Sequence, residues 1–491
     1  MPFTSLEYLI FLPLLFLVHH LSRGRMRWGG LLAASYGFYL DAGASYLVVV
    51  LAFVTLLSYV CGLQVGPAGN RPRFFLLIGI VGNIAVLVGM KYLPFLWECV
   101  SSLPSFIPVA KLSAPPLLVS VGVSFFVFQA IGYLVAVYLE NEDPERHLGI
   151  FALTLAFFPK LLQGPIEKSS DLAVQFRQSY RFDYLDIRSG MTLFLWGAFK
   201  KVVIADRLAL FVDAVYARPT AYAGISLVFA TVLYAFQLYL DFSGYTDMAL
   251  GSARLFNIRL SQNFDRPYLA TSVGDFWRRW HMTFSRWILA NLFQPLQMRW
   301  RYWGKWGTAL ALMVTFLVSG IWHGAAWGFI AWGGIHGIYL SCSVIWSPYR
   351  RRLYRWLGIE KAWWLRLWQV CVTFLLVSFA WIFFRAGTLE KGWYIATHLF
   401  TPGPLPAANW GELVETYLLA GQSIWDFYLA AVLLAALGGI SFFCARRGWS
   451  SLPDAIEAAP GWVRWGTCYA ITLCLVFAGI FGNATFIYFQ F

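Results

Sequence analysis

Charged side chains are scarce in this chain. They make up 12% of its 491 residues, against roughly 25% in a typical soluble domain. Hydrophobic residues fill 59% instead, which excludes a disordered chain or an ordinary soluble domain. Acid is the scarcer sign: 24 Asp and Glu against 37 Lys and Arg leave a net charge of +13. That excess does not point to nucleic acid, because the basic residues sit in short loops between apolar runs, the positive-inside pattern of membrane proteins. The seven cysteines (61, 99, 342, 371, 444, 468 and 474) form no CxxC pair, and most fall in apolar runs. Buried free thiols are expected, with no metal site and no disulfide framework. Also missing are an internal repeat, a low-complexity segment and a linker to a soluble domain. Residues 1–491 are therefore read as a single integral-membrane domain.

What the chain has in abundance is apolar stretches of about 17–25 residues, each long enough to span a bilayer. Window reading gives about 11–13 of them, so the expected fold is an all-α polytopic membrane protein. The first stretch, LEYLIFLPLLFLVHHLS, has no basic residue before it and no small-residue cleavage site after it. It reads as a retained helix rather than a signal peptide. Basic loops at 23–28 (RGRMRW), 71–73 (RPR) and 349–366 (YRRRLYRWLGIEKAWWLR) are assigned to the cytoplasmic side. Counting spans onward from the last of these places the C-terminal FIYFQF, residues 486–491, on the outer side.

Ionisable groups inside apolar segments cost several kcal/mol unless paired or hydrated, so they mark candidate sites. Four clusters stand out. FFPKLLQGPIEKSSDL (157–172) interrupts an apolar run with Pro159, Lys160, Gln163, Gly164, Pro165 and Glu167. It is either broken backbone buried at membrane depth or an interfacial loop. YAFQLYLDFSGYTDMALG (234–251) sets Asp241, Ser243 and Asp247 around Gly244. That spacing matches no Ca²⁺ loop, and helix capping with ion pairing to nearby arginines is expected. SVGDFWRRWHMTFSRW (272–287) packs three tryptophans, three arginines, Asp275 and His281 together. It suits an interfacial amphipathic helix, or a patch for the phosphates and adenine of an acyl-CoA or a phosphopantetheine arm. VSGIWHGAAWGFIAWGGIHGIYL (318–340) holds His323 and His336 among six glycines. These are hydrogen-bonded core histidines or, with His281, a buried reaction centre in which a neutral imidazole takes a proton from a hydroxyl.

At these residues the chain resembles the membrane-bound O-acyltransferases, and within them the bacterial alginate O-acetyltransferase branch, near the D-alanyl transferase branch. The landmarks run the full length: VGVSFFVFQAIGYL (121–134), FFPKLLQGPIEK (157–168), GAFKKVVIADRLA (197–209), QLYLDFSGYTDMALG (237–251), FWRRWHMTFSRW (276–287), GIWHGAAW (320–327), HG (336–337), AWIFFRA (380–386) and FIYFQF. The resemblance implies a ring of helices, with re-entrant or short helices, around a central tunnel. It assigns the essential histidine to His323 and a supporting one to His281. His336, Trp322, Asp241, Ser243, Arg278 and Arg279 are implied supporting or tunnel residues. The chain departs from the family pattern at WILANLFQPLQMRW (287–300), which lacks an Arg-Asp pair and a double glycine, and at Ala136, where an Asp is common. Both departures bear on donor-side detail.

The implied activity is transfer of an acetyl group from a cytoplasmic thioester, acetyl-CoA, to a cell-envelope or exopolysaccharide polymer outside the inner membrane. No permanently bound cofactor is expected; the partners expected are membrane lipids, the polysaccharide acceptor and a periplasmic SGNH-type acetyltransferase. A charged CoA does not cross a bilayer, so the acyl group moves alone. Tyr488 offers a phenol of pKa about 10, easier to ionise than an alcohol, and its aryl ester stays activated for onward transfer. The Phe-x-Tyr-Phe tail, within residues 484–491, resembles the aromatic tail that carries acyl groups in the D-alanylation branch. The alternative for the tail is an interfacial aromatic belt. Competing functions are D-alanyl transfer from a carrier-protein phosphopantetheine, a secondary transporter and a structural scaffold.

Overall fold

Hydrocarbon offers no partner to a backbone N–H or C=O, so a lipid-facing apolar segment closes its hydrogen bonds within a helix. The computed structural model describes residues 1–41, 43–67, 69–101, 118–222, 224–401, 414–481 and 486. It is helical, with no strand among the described residues. Among the described residues, eight helices are long and apolar enough to cross a membrane: Tyr46–Val65, Pro72–Ser101, Ile225–Arg254, Arg301–His323, Trp327–Trp356, Trp363–Arg385, Ile424–Arg447 and Gly461–Ala478. Two shorter apolar helices, Leu6–Leu21 and Val123–Tyr138, accompany them. The chain is an all-α, multi-pass membrane protein. Tyr488 lies outside the described residues.

Two apolar stretches, 148–163 and 186–212, are not single regular helices. Residues 148–163 break at Phe157 into Leu148–Ala156 and Phe158–Leu161. Residues 186–212 pass through a π-helical turn, Phe199–Ala205, which leads into Asp206–Ala217. Both irregularities carry buried lysines, Lys160 at the first and Lys200 and Lys201 at the second. The seven cysteines are free, but only Cys61 and Cys444 are buried; Cys342, Cys371 and Cys474 are exposed on helices with lipid-compatible surfaces.

The chain divides into two compact units. The first comprises Met1–Phe194 and Tyr245–Gln262. Its broken segment is no interfacial loop, since residues 157–165 are all buried. Lys160 donates to the Gln129 side chain and to the Leu155 carbonyl at 3.3 Å, so its ammonium is satisfied inside protein. The Glu167 carboxylate accepts from both the backbone N–H and the hydroxyl of Ser261, the latter at 3.0 Å.

The second unit comprises Leu195–Gly244 and Asn263–Phe491. At its centre the helices Gly304–His323 and Trp327–Trp356 form a hairpin with a three-residue connector. The glycines of this stretch serve close packing. A Cβ on Gly320 would sit 2.3 Å from the Phe329 carbonyl oxygen, and one on Gly333 would sit 2.3 Å from that of Phe316. Only a residue without a side chain lets the backbones meet this closely. Trp332 on this hairpin, and Trp280 and Trp381 in the same core, are fully buried.

The Asp-Phe-Ser-Gly stretch corrects an expectation. No helix ends there; Ile225–Arg254 runs straight through it. Asp241 needs no cap because it pairs with Lys201 at 2.6 Å, a lysine rather than an arginine. The Ser243 hydroxyl accepts from Lys200 at 2.9 Å. Gly244 allows the close approach that makes both pairs possible, since a Cβ there would lie 2.8 Å from the Gly197 carbonyl oxygen.

Candidate active site

The stretch 272–287, one of the four polar clusters, is two short helices rather than one surface helix. Val273–Arg279 is capped by Ser272, whose hydroxyl accepts from the Asp275 N–H at 3.1 Å, and Met282–Ile288 follows it. Between them His281 adopts a left-handed backbone, φ +42°, uncommon for a residue with a Cβ. Such strain persists where the surroundings over-determine it, and Asn263 supplies much of that constraint. Its carbonyl accepts from the Met282 N–H at 2.9 Å, and its side-chain oxygen accepts from the Thr283 hydroxyl at 2.7 Å. Ser285 closes the turn by donating its N–H to the His281 carbonyl at 2.9 Å. Trp277 and Trp280 are buried, so these rings belong to the core and not to a headgroup belt.

His281 is 1% exposed, and burial pushes its imidazole down to about 3, so it is neutral at ordinary pH. Its ring meets Phe242 edge-on at 4.8 Å and Phe284 at 5.1 Å. Phe242 lies between Asp241 and Ser243, so the Lys200 and Lys201 pairs flank the residue that touches His281. Phe284 in turn stacks on Trp322 at 4.4 Å and approaches His323 at 5.7 Å.

His323 is the last residue of its helix, where Gly324 breaks the backbone out of helical geometry. Its imidazole is walled by Trp322 at 4.8 Å, Trp332 at 4.9 Å and Phe384 at 5.2 Å. His336 stands beyond Trp332, whose ring is 5.1 Å away. Trp277 donates its indole N–H to Nδ1 of His336 at 3.2 Å. That bond places the His336 proton on Nε2, which has no hydrogen-bond partner among the described residues. The three histidines are therefore joined by an unbroken run of aromatic rings. His336 is the least suited of them to accept a proton, because its basic nitrogen is already engaged.

Arg278 and Arg279 take different roles. Burial alone would push the Asp275 carboxyl up, but Arg279, the Thr271 N–H and Arg278 together hold it below the usual carboxylate range. Arg279 bonds Asp275 at 3.2 Å and so fixes the helix that precedes His281. Arg278 is largely exposed and lines, with Arg286, a cavity of about 390 Å³. The other walls are apolar, among them Met282, Phe284, Phe316 and Leu340, together with the small residues Gly274 and Ser319. Ser319 stands one turn before His323, and the wall residue Phe284 touches both His281 and His323, so one aromatic ring separates the cavity from the histidine pair. Its volume falls in the range of small-molecule sites. No group of three or more metal-ligating side chains occurs among the described residues.

His281, His323, His336 and Trp322 are brought together, and Asp241 and Ser243 stand next to them. Asn263, Trp277, Trp332, Lys200 and Lys201 escaped the sequence reading. The lysines had a signal, two adjacent cations within an apolar run, whereas Asn263 had none.

With this geometry in hand, similarity to known proteins is informative. The membrane-bound O-acyltransferase family profile matches residues 150–383. The chain is 34% identical over 456 residues to "Probable alginate O-acetylase AlgI" of Azotobacter vinelandii, covering 90% of this chain and 86% of that one. It is 33% identical over 395 residues to the "Peptidoglycan O-acetyltransferase" of Helicobacter pylori, covering 74% and 71%. A "Teichoic acid D-alanyltransferase" of Bacillus subtilis is 25% identical over 286 residues, covering 55% and 70%. The chain belongs to the membrane-bound O-acyltransferase family and is an acyltransferase.

Proposed function

We propose that this protein is an O-acetyltransferase of the bacterial inner membrane, acting as one domain, with its basic loops in the cytoplasm and its C-terminus in the periplasm. It takes an acetyl group from acetyl-CoA and passes it outward for O-acetylation of a cell-envelope or exopolysaccharide polymer. The observation that carries this reading is the apolar cavity that has Arg278 and Arg286 in its wall and lies one ring, Phe284, away from His281 and His323. A pantetheine arm suits the apolar walls, and phosphates suit the two guanidiniums.

The chemistry follows from the residues. His323 accepts the proton of the Tyr488 phenol as that oxygen attacks the thioester carbonyl. Collapse of the tetrahedral species breaks the C–S bond, and the departing thiolate takes the proton back from the imidazolium. The products are an aryl acetate and free CoA. A hydroxyl of the polymer, or of a periplasmic SGNH-type partner, then displaces the phenol, which recovers its proton. His281, neutral and rigidly held, orients the acyl group, while His336 supports the aromatic wall.

The alternative donor is a D-alanyl carrier protein. Higher identity and coverage with acetylating relatives than with D-alanylating ones favour acetyl-CoA. Purified protein offered radiolabelled acetyl-CoA or a D-alanyl-loaded carrier protein separates the two. Acetyl-CoA is expected to react; reaction with the carrier alone would replace this reading.

A further inference from the structure

The π-helical turn Phe199–Ala205 does something that an unbroken helix would not. A π turn leaves carbonyls without an intrahelical partner, and here the Val202 carbonyl accepts from the Ile480 N–H at 3.0 Å. In the same turn, the Val203 carbonyl accepts from Arg207 Nη1 at 2.7 Å, and Arg207 Nη2 donates to the Ala478 carbonyl at 2.9 Å. Asp426 holds Arg207 from the other side, accepting from Nε at 2.9 Å. The backbone that leaves the helix Gly461–Ala478 is thus fastened at two points to the segment 202–207.

Lys201 supplies a third point. Its ammonium is buried and bridges Asp206 at 2.7 Å and Asp241 at 2.6 Å. Its Nζ also lies 4.6 Å from the centre of the Phe486 ring, and Phe486 is 1% exposed. A desolvated ammonium facing an aromatic ring is attracted to it more strongly than one in water. Two carboxylates from different helices fix the direction in which that charge points.

We propose that Lys201 is a positioning residue that seats the C-terminal segment through Phe486, with Asp206 and Asp241 aiming it. The purpose rests on the reading of Tyr488 as acyl carrier; the seating rests on the contacts alone. Position 488 is two residues from 486, so an anchored Phe486 confines the phenol to within about two residue lengths, roughly 7 Å of Cα separation. The Lys-Lys-Val-Val-Ile-Ala-Asp-Arg stretch, 200–207, then serves as the dock for Ala478, Ile480 and Phe486.

The test reads seating and acetylation separately, in the full-length protein in detergent. Hydrogen–deuterium exchange follows the peptides spanning 479–491, and mass analysis follows acetyl on Tyr488 after exposure to acetyl-CoA. Phe486→Ala and Lys201→Met are expected to raise exchange in these peptides about tenfold or more. Both are expected to lower acetylation to a similar degree with an unchanged KM for acetyl-CoA. Phe486→Trp, which keeps a π face, is expected to retain both signals; Phe486→Leu, which keeps bulk alone, is not. Should Lys201→Met fail to fold because two carboxylates lose their partner, the Phe486 series decides. Wild-type exchange in Phe486→Ala, or full seating in Phe486→Leu, would overturn the proposal. Seating that depends on both residues in a wild-type protein that never acetylates Tyr488 would uphold the dock and overturn the carrier reading.

Discussion

Trp277 fixes the tautomer of His336. Its indole N–H donates to Nδ1 at 3.2 Å, and the two rings stand nearly perpendicular at 5.2 Å. Trp277 also lines the cavity, so one side chain connects the cavity to the buried histidine. Trp277→Phe keeps the ring and removes the N–H. A lost buried hydrogen bond costs about 1–3 kcal/mol, so the melting temperature in detergent is expected to drop by a few degrees. Turnover is expected to fall only several-fold, because the proposed base is His323 and not His336. A loss as complete as that of His323→Ala would contradict this division of roles.

The depressed imidazole of His281 predicts a stability profile. The folded protein resists protonating it until about pH 3, whereas an unfolded imidazole titrates near about 6.5. Between these values the unfolded chain binds one more proton, so stability falls as pH drops from about 6.5 towards 3. The slope from this residue approaches about 1.4 kcal/mol per pH unit and vanishes above about 6.5. Thermal unfolding of His281→Gln, measured across this range, is expected to lack that part of the acid limb. An identical acid limb in the variant would show that the residue is not held neutral.

Two glycines on the hairpin should respond differently to the same substitution. Gly320→Ala drives a Cβ to 2.3 Å from the Phe329 carbonyl, whereas the nearest atom to a Cβ on Gly334 is Leu317 Cδ2 at 3.8 Å. Overpacking of this kind costs about 1–3 kcal/mol, and Gly320 is one turn from His323. Small displacements of reacting groups can cost about 100-fold in rate. Gly320→Ala is therefore expected to lose both stability and kcat, and Gly334→Ala neither. Equal tolerance at the two positions would count against the packed hairpin.

Arg278 and Arg286 give the proposed donor pocket a salt signature. Replacing both with alanine is expected to raise KM for acetyl-CoA about tenfold at low ionic strength, with a smaller effect at high salt. Acetyl-pantetheine, which lacks the nucleotide phosphates, is expected to show no such change. A rise in KM for both donors would place the guanidiniums elsewhere than at the phosphates.

The sequence made much of this architecture legible because membrane helices announce themselves by composition. Paired charges in apolar runs were harder to read. Asp241 was visible as an expensive carboxylate, but its partner Lys201 lies 40 positions earlier and is reached only through a π turn that no residue pattern announces. The glycines around His323 were consistent with either close packing or an open cavity, and only the 2.3 Å approaches decide for packing. The stretch 272–287 looked amphipathic because its arginines alternate with tryptophans. The left-handed turn at His281 folds Trp277 and Trp280 inward, which a one-dimensional pattern does not register.

The central claim is that His323 activates the Tyr488 phenol towards a cytoplasmic acetyl thioester. Its most direct test is covalent labelling of the purified protein by radiolabelled acetyl-CoA, with wild type, His323→Ala and Tyr488→Phe compared side by side. The account predicts label on the wild-type C-terminal peptide and loss in both variants. Label that persists in His323→Ala, or turnover to a polysaccharide acceptor at the wild-type rate in Tyr488→Phe, would contradict it.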